Sequence, residues 1–237
     1  MTYSILACCA RTGRLGLATA SYTMAIGQYT DAAVRPNTGA SFTQGNPDPR
    51  NNRVAINLLA QGHSPGATLK TLLAEDGTQA HRQIGVIDRD GKTAAHTGAQ
   101  LPGWAGHVQG EGYVLLGCQL AGEAVLVAMG QRFLAEPEAD LDTRLLAALE
   151  GGRDAGGIKG AAGRLPEHSV ALVVWGKRDY SDLDLRVDLH DTDAIGRLRA
   201  IYEEFKPYAV YYDERARHPR NAIPQYEFVD MLKKKAG

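Results

Sequence analysis

Thr2-Tyr3-Ser4-Ile5-Leu6-Ala7-Cys8-Cys9 reads as a compact strand, and Arg11-Thr12-Gly13-Arg14 supplies a turn before a second strand-like run, Leu15 to Ser21. The two runs predict a β-hairpin. Farther out, Met24 to Pro49 carries Gly27, Pro36, Gly39, Gly45, Pro47 and Pro49, which predicts shaped loop with one short strand, Ala40 to Gln44. Val54, Ile56, Leu58 and Leu59 have helical spacing within Arg53 to Gln61. Ser64-Pro65 predicts an N-cap followed by proline at the first helical position, and Gly77 ends that second helix near Asp76.

The same procedure carries to the C-terminus. Gln83 to Asp88 and Thr93 to Thr97 flank Arg89-Asp90-Gly91, a hairpin signal. Tyr113 to Gln119 predicts a strand, and Glu123 to Ala135 and Leu141 to Leu149 predict two helices separated by Pro137. Gly151 to Glu167 holds no regular pattern, Ser169 to Trp175 predicts a buried strand, and Asp193 to Phe205 predicts a helix with Ile195, Leu198, Ile201, Tyr202 and Phe205 on one face. Blocks of strands and blocks of helices do not alternate as a Rossmann or barrel fold requires. The expectation is an α+β protein of two sheets covered by helices, with one domain to about residue 205. Residues 206–237 form a C-terminal extension containing Tyr208, Tyr211, Tyr212 and Tyr226, expected to pack on the body or on a neighbouring subunit.

Composition narrows the partners. The 237 residues are 44% hydrophobic and 22% charged, so a full core is affordable and disorder is excluded. The 26 basic and 27 acidic residues nearly cancel, which argues against nucleic acid and against an anionic membrane, and favours a small-molecule or peptide substrate. Lys233-Lys234-Lys235 is read as a solvated tail. Cys8, Cys9 and Cys118 are an odd number with two adjacent, unlike a disulfide framework, so a reducing, cytoplasmic setting is expected. Ile5-Leu6-Ala7-Cys8 matches a lipoprotein box, but without a basic or long apolar stretch before it the match is read as chance. No run reaches the ~18 apolar residues of a membrane span.

Most catalytic motifs are missing. The three cysteines and seven histidines lack metal-ligand spacing, so neither metal nor organic cofactor is expected. Gly156-Gly157-Ile158-Lys159-Gly160 lacks the Gly-Lys-Ser/Thr ending of a phosphate loop, and no Gly-x-Ser-x-Gly elbow occurs. Thr2 remains. Removal of Met1 by methionine aminopeptidase would give it a free α-amine, with a pKa near 8, beside its own hydroxyl, so one residue would supply nucleophile and base.

An ordered series supports that reading: Thr2-Tyr3-Ser4-Ile5, Gly13-x-Leu15-Gly16, Thr43-Gln44, Gly98, Trp104-Ala105-Gly106-His107, Gly110-Glu111-Gly112-Tyr113, Leu120-Ala121-Gly122, Ser169-Val170-Ala171-Leu172, and Arg186-Val187-Asp188 with His190. Over roughly residues 2 to 205 it resembles a bacterial family of unknown function placed in the N-terminal-nucleophile hydrolase superfamily. The resemblance implies a four-layer αββα sandwich of two antiparallel sheets, amide-bond hydrolysis by Thr2, and a homodimer or higher homo-oligomer. The chain departs from that pattern where Cys9 replaces an aspartate, Cys118 an asparagine, Ile158 an aspartate and His168 a glutamine. These departures motivate a second reading, a non-catalytic small-molecule-binding protein that keeps the fold.

The candidate catalytic residues are Thr2, with Ser4 as a second hydroxyl on the same strand face. Ser21 is either an orienter of the amine or a strand-end cap, and Gln44 is an amide donor to an oxyanion. Thr43, His96, Trp104 and His107 are the candidate substrate-binding residues, with His96 also readable as a structural histidine bonded to backbone. Asp188 and His190 are read as fixing the fold.

Overall fold

A computed structural model describes residues 1–236. Strands β1 (Thr2–Cys8) and β2 (Leu15–Ser21) form the expected hairpin, followed by β3 (Val34–Arg35) and β4 (Gly39–Gly45). Helices α1 (Arg50–Ala60) and α2 (Pro65–Glu75) come next, then β5 (Arg82–Asp88), β6 (Thr93–Thr97), β7 (Trp104–Gly110) and β8 (Tyr113–Leu120). Helices α3 (Glu123–Leu134) and α4 (Leu141–Asp154) precede β9 (Ile158–Gly160), β10 (Gly163–Leu165), β11 (Ser169–Trp175) and β12 (Leu183–Val187), and the chain ends with α5 (Ala194–Arg217) and α6 (Gln225–Ala236).

The strands make two antiparallel sheets. The larger has the order β10-β9-β8-β1-β2-β11-β12, with β7 also paired to β8, and the smaller has the order β3-β4-β5-β6. Strand β1 sits between β2 and β8 and is buried along its whole length. Alternation gives it two faces. Leu6 and Cys8 join Leu15, Leu17, Phe42, Ile87, Val114 and Leu116 in a core between the sheets. Tyr3 points the other way, toward α4, where a Cβ on Gly152 would lie 3.0 Å from the Tyr3 ring. Helices α3 and α4 pack on this outer face, while α1 and α2 cover the smaller sheet through Ala55, Ile56, Leu59, Leu69 and Leu72 against Ile84 and Val86. Burial of each leucine, isoleucine or valine side chain there contributes about 1.5–3 kcal/mol relative to exposure. The sheets approach closely at Gly85, where a Cβ would meet Leu6 and Leu116 at 3.1 Å each.

Several elements differ from their sequence expectation for local reasons. Helix α1 starts three residues early because Asp48 Oδ1 accepts the Arg50 N–H at 3.1 Å, and because its buried inner-face residue Asn52 is polar, which hid the apolar period. Ser64 caps α2 as expected, accepting from Ala67 N at 3.2 Å. Helix α4 runs through Gly151 and Gly152, which let it approach α3 and Tyr3 closely, and the patternless stretch after it holds the hairpin β9–β10. Strand β7 has no clear period of two in its sequence because it is only partly buried and carries a bulge between Trp104 and Ala105. Helix α5 continues past Phe205 with Pro207 inside it, at the loss of one backbone bond.

The chain divides into two compact units, Met1–Arg199 and the residues from Ala200 onward. In the second, Tyr211 stacks on Phe228 at 4.2 Å and donates to Ile223 O at 2.8 Å. Lys233 and Lys234 are exposed, and the side chain of Lys235, the last of that basic run, lies outside the described residues.

Candidate functional site

The face of β1 toward the smaller sheet is apolar at one end and polar at the other. Thr2 and Ser4 occupy the polar end, opposite Ser21 and Thr19 on β2, and Thr2 faces Cys118 on β8. All five are buried. Thr2 Oγ1 lies 2.9 Å from Ser21 Oγ, and Ser21 Oγ donates at 2.9 Å to Met1 O, a group that can only accept. Since Ser21 has a single proton, Thr2 must be the donor in their pair. Ser21 Oγ also accepts from Thr23 N at 3.0 Å, so the hydroxyl caps the strand end and touches Thr2 as well. The Met1 amine donates to Cys118 Sγ at 3.6 Å.

Gln44 reaches this group from the smaller sheet. Its Oε1 accepts from Ser4 Oγ at 2.6 Å, and its Nε2 donates to Thr2 O at 3.0 Å and to Gln83 Oε1 at 2.7 Å. Ser4 Oγ also meets Thr19 Oγ1 at 2.8 Å. Thr43, the neighbour of Gln44, points to the opposite side by strand alternation, toward α1. There its N–H donates to Asn52 Oδ1 at 3.1 Å and its buried hydroxyl has no hydrogen-bond partner. Thr43 therefore does not join Gln44 beside Thr2.

The polar seam continues outward. Gln83 Nε2 lies 2.9 Å from Thr97 Oγ1, which in turn meets His107 Nδ1 at 2.8 Å. His107 is exposed overall, yet burial of its ring against the sheet, with His96 as a second cause, pushes its imidazole below the ordinary value. His96 lies on the other face of β6 and its Nε2 meets Gln79 O at 3.0 Å, a backbone bond of the kind a structural histidine makes. Trp104 folds its ring over Gly106, where a Cβ would stand 2.8 Å away. Thr2, Ser4, Ser21, Gln44 and, through Gln83 and Thr97, His107 thus belong to one hydrogen-bonded seam; Thr43 and His96 belong to the helix-covered face.

Gln83 and Thr97 are the members the sequence reading missed. The available signal was the period of two: Gln83 shares a strand face with Gly85 and Ile87, a polar residue where the inner face should be apolar. Of the positions that depart from the related pattern, Cys118 is in the site and His168 is beside it, donating its N–H to Ser21 O at 2.8 Å and stacking on Tyr22 at 4.5 Å. Ile158 pairs with Leu120 where β9 joins β8, and Cys9 lies just past the far end of β1, lining a cleft of about 680 Å³ with Cys8, Arg89, Glu111 and Arg144. Behind Thr2, on the helix face, Tyr3 donates to the buried Glu167 at 3.0 Å; burial first, then the carboxylate, pushes the phenol well above its ordinary value. Asp188 pairs with Arg186 at 3.2 Å, and His190 Nδ1 accepts from Asp193 N at 2.9 Å ahead of α5.

These features define an α+β protein whose described residues form two antiparallel sheets and six α-helices, with an inter-sheet seam that is polar at one end. The pattern of the family of unknown function DUF1028 matches residues 2–198, and the chain belongs to that family. It is similar to protein SPO2555 from Silicibacter pomeroyi, whose crystal structure is assigned to the same family: 28% identity over 86% of this chain and 89% of the other, with a TM-score of 0.77. No curated protein matches the chain. Among the described residues no helix is long and apolar enough to cross a membrane.

Proposed function

We propose that the protein is an amidohydrolase or peptidase in which Thr2, freed of the residue before it, is the nucleophile at the head of β1 in a four-layer αββα sandwich. One observation carries the reading. The buried Thr2 hydroxyl donates to Ser21, and Ser21 in turn donates to the carbonyl of the residue that must leave. Loss of Met1 places a new α-amine beside the Thr2 hydroxyl, and Ser21 Oγ, no longer held by the Met1 carbonyl, can accept an N–H of that amine and leave its lone pair to the Thr2 hydroxyl. The amine, with a pKa near 8, accepts the hydroxyl proton as Oγ1 attacks the substrate carbonyl carbon. The C–N bond then breaks, the leaving amine takes the proton, and water hydrolyses the acyl ester on Thr2.

The test uses Met-free protein, confirmed by intact mass, and p-nitrophenyl acetate as a small acyl probe. The expected result is a p-nitrophenolate burst with the acetyl group on residue 2, retained in Thr2→Ser and lost in Thr2→Val, which keeps the amine and the branched shape. Equal labelling of Thr2→Val overturns the reading, because the amine alone would then be reacting.

A second reading is supported by the engagement of Gln44. Both of its amide protons have acceptors in Thr2 O and Gln83 Oε1, so neither is free for an oxyanion. On that reading the protein binds a small molecule near Trp104 and His107 without turning it over, and robust hydrolysis of any amide refutes it.

A further inference from the structure

We infer that Gln83 is a positioning residue for the Thr2 site, acting through Gln44; the inference rests on the Thr2 reading above. A glutamine side chain is nearly symmetric in shape, so its orientation is set by which neighbours can only accept or only donate. Gln44 alone is weakly determined, because the Ser4 hydroxyl at its Oε1 can donate or accept. Gln83 is determined by backbone. Its Nε2 lies 2.8 Å from Gly106 O on β7 and 3.0 Å from Gly117 O on β8, both carbonyls that can only accept.

Those two carbonyls hold the Gln83 amide nitrogen toward the larger sheet and turn Oε1 toward Gln44. Gln44 must then present Nε2, which gives its second proton to Thr2 O at 3.0 Å and leaves Oε1 for the Ser4 proton. Ser4 Oγ also lies 2.8 Å from Thr19 Oγ1. One side chain on β5 therefore decides which end of the Gln44 amide faces Thr2 O and which faces Ser4. Gln83 is fully buried, so no solvent competes for these bonds.

The experiment follows acetylation of residue 2 by p-nitrophenyl acetate in Met-free wild type, Gln83→Leu and Gln83→Glu, with melting curves to confirm folding. Gln83→Leu is expected to slow the burst about 10- to 100-fold, as small misplacements of a reacting group do. Gln83→Glu separates positioning from packing. A neutral carboxyl can donate to Gly106 O or Gly117 O and accept from Gln44, whereas a carboxylate only accepts. Its rate relative to wild type should therefore rise as pH falls from about 8 to about 5, where a buried carboxyl gains its proton. Acetylated wild type with unchanged rates in both variants overturns the inference and leaves Thr2 standing. A wild type with no burst overturns the Thr2 reading and this inference with it. Where a variant fails to fold, hydrogen exchange of the Gln44 side-chain amide in wild type decides: slow exchange of both protons supports the inference, and fast exchange overturns it.

Discussion

Replacing Gln44 with methionine keeps the length of the side chain and removes its polar head, so its cost reads the strength of the seam directly. Beside a 3.9 Å contact from its Nε2 to Cys118 Sγ, Gln44 serves three oxygen partners: Ser4 Oγ at 2.6 Å, Gln83 Oε1 at 2.7 Å and Thr2 O at 3.0 Å. Ser4 can turn its proton to Thr19 Oγ1, 2.8 Å away, and remains satisfied. Gln83 Oε1 and Thr2 O each lose a donor in a buried site, at about 1–3 kcal/mol apiece, and added apolar burial offsets about 1 kcal/mol. The net expectation is a loss of about 1–5 kcal/mol, or a fall in Tm of about 2–20 °C for a chain of this size. Urea melts of wild type, Gln44→Met, Gln83→Met and the double variant measure it. The double variant should be less destabilised than the sum of the singles by about 1–2 kcal/mol, since Gln83 Oε1 is no longer left without a donor. A Gln44→Met variant within about 0.5 kcal/mol of wild type would refute the reasoning, because a surface-like effect is incompatible with stranded buried acceptors.

Three further outcomes are expected. Thr43→Val removes a buried hydroxyl that has no partner and should leave stability unchanged or raise it by about 1 kcal/mol; a loss above that in thermal melts means that the hydroxyl is bonded. Gly157→Ala should cost about 1–3 kcal/mol, because Gly157 has φ +53° and an added Cβ would stand 2.3 Å from Glu167 Oε1, the acceptor of Tyr3; a neutral result in urea melts contradicts this. At Asp76, burial opposes ionisation, but hydrogen bonds from Arg82 and Thr78 prevail and hold the carboxyl at about 2, below its ordinary 3.8. A value lowered by folding stabilises fully above about pH 4 and is lost as pH falls through about 2, so the stability gap between wild type and Asp76→Asn should shrink over that window; a constant gap means that the ionised carboxylate is not what stabilises.

Much of the framework was legible because local signals and burial agreed. Leu15 to Ser21 and Ser169 to Trp175 are apolar runs bounded by turn residues, and both strands fall where the pattern places them. Ser64-Pro65 and Asp90-Gly91 encode a cap and a turn through their own backbone chemistry, needing no distant partner. Strand β7 and the hairpin β9–β10 were illegible for the converse reason: short, partly exposed strands have little apolar period, and they exist because β8 offers them an edge.

The site divides in the same way. By itself the sequence determined that Thr2 and Ser4 share a strand face, because side-chain alternation is a property of one strand. It also placed Thr43 and Gln44 together, and there alternation within β4 sends the two side chains to opposite sides of the sheet. Only the tertiary structure decided that Gln83 meets Gln44 across β4 and β5, that Gly106 and Gly117 anchor it from the other sheet, and that Cys118 faces Thr2 while Cys9 lies at the far end of the strand. Those contacts join residues 23 to 116 positions apart, and the direction of the Gln83 and Gln44 hydrogen bonds is set by partners that no local pattern contains.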